Sequence, residues 1–315
     1  MILGVLLACA SVCSYTIFGI VAQYYGLNPI DLILGRSCIQ SLVVSVVMIM
    51  KRDSLELSKS TILVGCLFFV STSGFIFVIY ILPLGTAFIL THSTAGFTAI
   101  FARLLAKENI TLLKAVCIVS ILLGQFLVIE PSFLFTKSLS SVSLGSMEYI
   151  GIAIGFFCSI STGLLTVMVT LNKTPKQHMF LIGSLLSLFL ALVIGPLVQE
   201  SQIFHGSSSK VIWKALIQSL FVGSFALMSI GAFSLAIGLC PSVLLTLIAT
   251  GECITSFVAQ VVIFKQVITW IQVCGVVIVV LSLITAILID DQNIQKADGN
   301  LELAPILASQ NELKK

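Results

Sequence analysis

The chain has 315 residues, of which 58% are hydrophobic and only 9% charged, with a formal net charge of +3 and a mean hydropathy of +1.16. Soluble domains carry roughly 25% charged residues, and the polar side chains here are too few to cover a water-soluble surface. This balance excludes a soluble enzyme and a nucleic-acid-binding domain and defines an all-α integral membrane protein.

A span takes about 20 apolar residues, because ~1.5 Å of rise per residue must cross ~30 Å of hydrocarbon. Ten segments meet that length, near 2–24, 28–50, 61–80, 84–105, 111–129, 148–170, 178–199, 211–237, 241–264 and 268–289. The first lacks a basic leader and exceeds the roughly 7–15 apolar residues of a signal peptide, so it reads as a span. The second opens on Asn28-Pro29-Ile30-Asp31, a capped start in which Asp31 is expected to accept first-turn N–H groups. Pro83, Pro175 and Pro241 mark further helix starts, where a missing N–H costs nothing, and Pro196 is expected to bend the last turn of the seventh segment. In the third segment Ser71-Thr72-Ser73-Gly74 reads as a close-packing face, as do Gly151-x3-Gly155 and Ser159-x3-Gly163 in the sixth. The nine cysteines lie in or beside apolar segments and read as small hydrophobes, not as a disulfide framework. Residues 290–315 open on Asp290-Asp291-Gln292-Asn293 and are expected to form a flexible cytosolic tail.

The segments repeat. At an offset of 158, Gly65 matches Gly223, Pro83 matches Pro241, Lys107 matches Lys265, and Ile110-Thr111 matches Ile268-Thr269. Segments 1–2 correspond more loosely to 6–7, with Gly4 opposite Gly151. Five spans per repeat is an odd number, so residues 1–135 and 146–289 must insert with opposite orientation. Such inverted repeats are a transporter architecture with its site near the midplane. With a cytosolic N-terminus, eleven Lys and Arg residues fall on the cytosolic side and four on the other, so the positive-inside rule puts both termini in the cytosol. The particular membrane is left open.

Residues 79–129, IYILPLGTAFILTHSTAGFTAIFARLLAKENITLLKAVCIVSILLGQFLVI, resemble the EamA-type repeat of the drug/metabolite transporter superfamily. The resemblance rests on a helix rich in small residues, then Lys107-Glu108, a short turn, and an apolar helix carrying Gly124. Arg36 stands where that family commonly carries arginine; the second repeat keeps Lys265 but has Gln266 in place of the acid. Among animal members the chain is most similar to the G subgroup of solute carrier family 35. The resemblance implies ten transmembrane helices in two inverted five-helix repeats. It also implies a cavity lined by segments 1–4 and 6–9, with 5 and 10 peripheral. Substrates in the superfamily range over amino acids, nucleotide sugars, organic acids and drugs, so the fold does not select one.

Glu252 is the residue most in need of explanation. Near the centre of segment 9, a charge costs on the order of 2.5–3.5 kcal/mol by insertion scales, so it must be paired, protonated or facing a wet cavity. At the repeat offset Glu252 faces Thr94 and Thr250 faces His92, which makes these midpoints polar at matched depth. His92 reads equally as a core histidine and as a ligand or proton-relay group. Arg36, with Gln40 one turn on along the same face, offers a planar fork suited to carboxylate or phosphate. The candidate substrate-binding or coupling residues are therefore Arg36, Gln40, His92, Thr94, Thr250 and Glu252. Arg103, Lys107, Glu108 and Lys114 sit at the cytosolic edge and anchor topology.

No nucleotide-binding, metalloprotease or hydrolase motif occurs, so neither an enzyme nor a metal or cofactor site is expected. The reading is a secondary transporter for a small polar organic metabolite, with an organic anion favoured by Arg36. Glu252 supplies a titratable site for a coupled proton, and the partners are that solute, the lipid bilayer and at most a second copy of the chain. Two alternatives stand: a nucleotide-sugar exchanger of endomembranes, which needs more cavity cations, and a non-transporting membrane protein acting through its loops and tail.

Overall fold

The computed structural model describes residues 2–52, 55, 57–91, 93–107, 111–129, 146–172, 176–236, 239–240, 242–249, 251–265, 269–282 and 284–285. Within these, all regular structure is helical. The elements are α1 (Ile2–Tyr25), α2 (Pro29–Lys51), α3 (Lys59–Ile81), α4 (Leu84–Thr91), α5 (Thr94–Leu105), α6 (Leu112–Ile129), α7 (Ser146–Asn172) and α8 (Lys176–Ile194). A 3-10 turn (Gly195–Leu197) follows, then α9 (Gln202–His205), α10 (Ser209–Ala236), α11 (Ser242–Ala249), α12 (Gly251–Val262) and α13 (Trp270–Ser282).

Among the described residues seven helices are long and apolar enough to cross a membrane: α1, α2, α3, α4 and α5 taken together, α7, α8 with its 3-10 turn, and α10. The shorter apolar helices Ala115–Leu127, α12 and α13 fall in the segments expected as spans five, nine and ten. The tail 290–315, Glu108, Pro175 and Pro241 lie outside what is described, as does the side chain of Lys114.

The local signals act largely as their chemistry dictates. Asn28 is the N-cap of α2 and accepts from the Ile30 N–H at 3.0 Å, and Ser58 caps α3 in the same way. Pro196 sits in the 3-10 turn that ends α8. Segment 4 departs from the expected single span. Its helix stops at Thr91 and resumes at Thr94 through a turn at Ser93, and the Thr94 hydroxyl donates to the Thr91 carbonyl at 2.7 Å, satisfying an acceptor the interruption frees.

Asp31 also departs from expectation. Its carboxylate does not serve α2, whose first turn Asn28 already caps. It is fully buried and accepts from the Ser201 hydroxyl and, at 2.8 Å, from the Gln202 N–H. Asp31 therefore ties α2 to the start of α9. Asp31→Ala strips the acceptor from the buried Ser201 hydroxyl, at about 1–3 kcal/mol, and from the N–H of the exposed Gln202. The expected result is a lower unfolding midpoint for the detergent-solubilised protein, with Asp31→Asn, which keeps one acceptor oxygen, between the two. An unchanged midpoint for Asp31→Ala would show that water takes over both bonds.

The packing follows a rule of exchange. Helix α1 packs against α10 as α3 packs against α7, and α2 packs against α10 as α3 packs against α8. Helix α1 meets α11 and α12 as α7 meets α4 and α5; α4 meets α12 as α5 meets α11. The closest approaches obey it too. A Cβ at Gly4 would stand 2.8 Å from Leu239 and 2.6 Å from Cys240, and one at Gly151 would stand 2.9 Å from Ile81 and 3.0 Å from Leu82. These two contacted pairs are 158 residues apart. Lys107 and Lys265, also 158 apart, share a left-handed backbone with φ of 54° and 51°, which costs a non-glycine residue about 1–2 kcal/mol.

Candidate functional site: a central cavity

The elements enclose a cavity of about 130 Å3. One water takes roughly 10–15 Å3 on this measure, so the space accepts a small organic solute. Its wall draws on α1 (Ser11, Tyr15), α3 (Ser71, Thr72, Phe75), the α4–α5 interruption (Thr91, Thr94), α7 (Thr162, Thr166), α10 (Ser229) and α12 (Glu252), with residues of α8 and α11 completing it.

One end of the cavity is closed by aromatic rings. Tyr15 stacks on Phe75 with centroids 4.9 Å apart and on Phe18 at 5.5 Å, while Phe75 meets Phe88 edge-on at 5.1 Å. Phe18 and Phe88 are fully buried. Beyond the rings lie the Asp31 bonds to Ser201 and Gln202, and a Tyr80 hydroxyl donating to Glu200 at 2.9 Å. On the other side the cavity runs past Thr166 to Val169, Phe180 and Phe233, close to the ends of α7, α8 and α10 on the side of the N-terminus.

The residues singled out from sequence separate into three groups. Glu252 and Thr94 line the cavity, both 4% exposed. Arg36 and Gln40 do not. Both are 0% exposed, and α2 contributes no described residue to the wall, contrary to the lining expected of segment 2. The cause is the crossing of α2 and α10, where Gly35 abuts Ser219 and Gly223 abuts the Arg36 backbone, which turns α2 into the packed interior. Arg36 instead reaches the wall through one hydrogen bond, from Nη2 to the Thr72 hydroxyl at 2.9 Å. Its Nε and Nη1, and both amide atoms of Gln40, have no hydrogen-bond partner among the described residues. His92 and Thr250 lie outside the described residues.

Tyr15 was not among the expected site residues. It lines the cavity. Tyrosine in membrane proteins concentrates at the two interfaces, so one at the centre of segment 1 was a signal available in the sequence. Ser11 with Ser229, and Ser71 with Thr162, are hydrogen-bonded pairs across helices at 2.9 and 2.5 Å that only the packing reveals. Among the described residues no group of three or more His, Cys, Asp or Glu is placed to hold a metal ion.

A bundle of long apolar helices around a polar-spotted central cavity is the architecture of a multi-span membrane protein. Residues 2–130 match the EamA-like transporter family. The chain is also similar to solute carrier family 35 member G1 of Homo sapiens, at 26% identity over 206 residues, covering 64% of this chain and 54% of that protein. The match thus spans about half the length of that relative. A solved crystal structure superimposes with a TM-score of 0.65 at 13% identity, covering 92% of this chain and 98% of the other; at that identity the likeness is one of fold alone.

Proposed function

We propose that this protein is a secondary transporter that carries a small polar organic metabolite across a membrane by alternating access. In this reading ten helices form two inverted repeats, residues 1–135 and 146–289, with both termini cytosolic, and the repeats rock about the cavity between them. The observation that carries it is a cavity walled by both repeats, sealed at one end by Tyr15, Phe18, Phe75 and Phe88, and extending towards the opposite end. A wall that is closed on one side only is what one state of an alternating-access cycle requires. The exchange rule in the packing, the paired glycine approaches and the matched backbone at Lys107 and Lys265 support the repeat. The structure would then represent the state open towards the cytosol.

Glu252 is the group we assign to the coupled proton, because it is a carboxylate on the cavity wall at midplane depth, where an ionisable residue is a site candidate by default. Thr94 supports it from the matched position of the first repeat. Uptake into proteoliposomes, measured across a metabolite panel with and without a pH gradient, tests the reading. Glu252→Gln is expected to keep surface expression and the folded state while removing the pH dependence of uptake. An unchanged pH profile in that variant would reduce the acid to a structural hydrogen-bonding group. The absence of any gradient-dependent or exchange flux in the wild type would remove the transporter reading itself.

A further inference from the structure

Most hydroxyl groups of the cavity wall are turned into acceptors. A serine or threonine hydroxyl has one hydrogen to give and two lone pairs to offer. Thr72 gives its hydrogen to the Phe68 carbonyl at 2.7 Å, Thr91 to Ala87 at 2.8 Å and Thr94 to Thr91 at 2.7 Å. Thr162 gives its hydrogen to Cys158 at 2.8 Å and Thr166 to Thr162 at 2.9 Å. With the Thr162 hydrogen spent on Cys158, the 2.5 Å contact between Ser71 and Thr162 takes the hydrogen of Ser71. What remains at these six oxygens is lone pairs. Glu252 adds carboxylate oxygens to the same wall. Hydrogens left to give are few: the Tyr15 hydroxyl, and one from the Ser11–Ser229 pair, whose single contact uses only one of its two.

Groups able to carry opposite charge border the cavity. The Arg36 guanidinium stands one residue layer behind the wall, at Thr72, and the Glu252 carboxyl stands on the wall. A solute with a net charge of either sign meets one of them unfavourably. Around these oxygens the wall is apolar and aromatic, with Tyr15, Phe68, Phe75, Phe180 and Phe233, which suits a face of C–H groups or a flat ring.

We infer that the cavity selects an uncharged, polyhydroxylated solute, one that donates several hydrogen bonds and turns an apolar face to aromatic rings, and not the organic anion suggested by Arg36 alone. The inference rests on the transporter reading for its context but concerns recognition. A carboxylate or phosphate brings only acceptors, and to be bound it must first pull threonine hydrogens away from their helix carbonyls. A sugar-like solute finds its hydroxyl hydrogens matched.

Three probes of similar bulk test this on the purified full-length protein: phenyl β-glucoside, 3-phenylpropionate and phenethylammonium. Binding is read as stabilisation against heat in detergent, and transport as counterflow in proteoliposomes. The glucoside is expected to stabilise most and to be carried. Thr91→Val and Thr166→Val each remove one acceptor without stranding a partner, and each is expected to weaken glucoside binding about three- to tenfold. Stronger binding of the carboxylate or the ammonium overturns the inference while leaving the transporter reading in place, and so does glucoside affinity that is indifferent to both valine substitutions. Glucoside binding without counterflow supports the recognition and removes transport instead. No response to any of the three probes overturns the inference.

Discussion

Gly223→Val is expected to prevent accumulation of folded protein. A Cβ at position 223 would stand 2.7 Å from the Cα and 3.0 Å from the N of Arg36, and on the facing helix a Cβ at Gly35 would stand 2.5 Å from the Ser219 carbonyl carbon. All of these are backbone atoms, so no side-chain rotation relieves the clash and α2 and α10 must move apart. Ser219 and Gly223 form a small-x3-small face of the kind that lets membrane helices approach to backbone contact. Overpacking a well-filled contact costs about 1–3 kcal/mol. Here it adds to the lost contact along one of the most extensive helix pairs in the molecule, so the net loss should exceed that range. Gly231 lies on the same helix, yet a Cβ there meets nothing within 4 Å, so Gly231→Val controls for the change of residue type. Size-exclusion profiles of the two fluorescently tagged variants read the outcome. Similar monodisperse peaks would show that the crossing has slack that the distances deny.

Arg36→Met is expected to separate stability from function. The guanidinium is wholly buried, and two of its three nitrogens have no hydrogen-bond partner among the described residues. The guanidinium forms no ion pair among the described residues, so its replacement by an apolar side chain of similar volume strands no opposite charge and lifts a desolvation cost. Thr72 would lose only a donor to its oxygen, because its own hydrogen already goes to Phe68. The unfolding midpoint should therefore hold or rise. Transport should fall by an order of magnitude or more, because Thr72 is no longer held and the cation behind the wall is gone. Residual binding should shift towards the ammonium probe. Arg36→Lys keeps the charge but not the planar fork and should keep the selectivity while losing affinity. A destabilised Arg36→Met variant with wild-type selectivity would make the residue a structural one.

Helix boundaries were legible in the chain because they are a local property. Hydrocarbon thickness sets how long an apolar run must be, so the expected 2–24 and 28–50 became Ile2–Tyr25 and Pro29–Lys51. Proline and lysine positions at helix ends recurred at one offset without any knowledge of packing. Glu252 stood out for the same reason, since a carboxylate in an apolar segment is anomalous wherever the helix goes.

What the residues around it do was decided elsewhere. Arg36 is hidden from the cavity because Gly35 and Gly223 let α2 and α10 touch, and Asp31 crosses to Ser201 because the connection after α8 folds back over α2. Neither relation has a sequence spacing that encodes it. The hydrogens of Thr72, Thr91, Thr94, Thr162 and Thr166 are directed along their own helices, yet only the packing decides which of those oxygens border the cavity. A sequence lists which groups can donate and accept. The crossing of helices, set by backbone contact at a few small residues, determines which of them a solute meets.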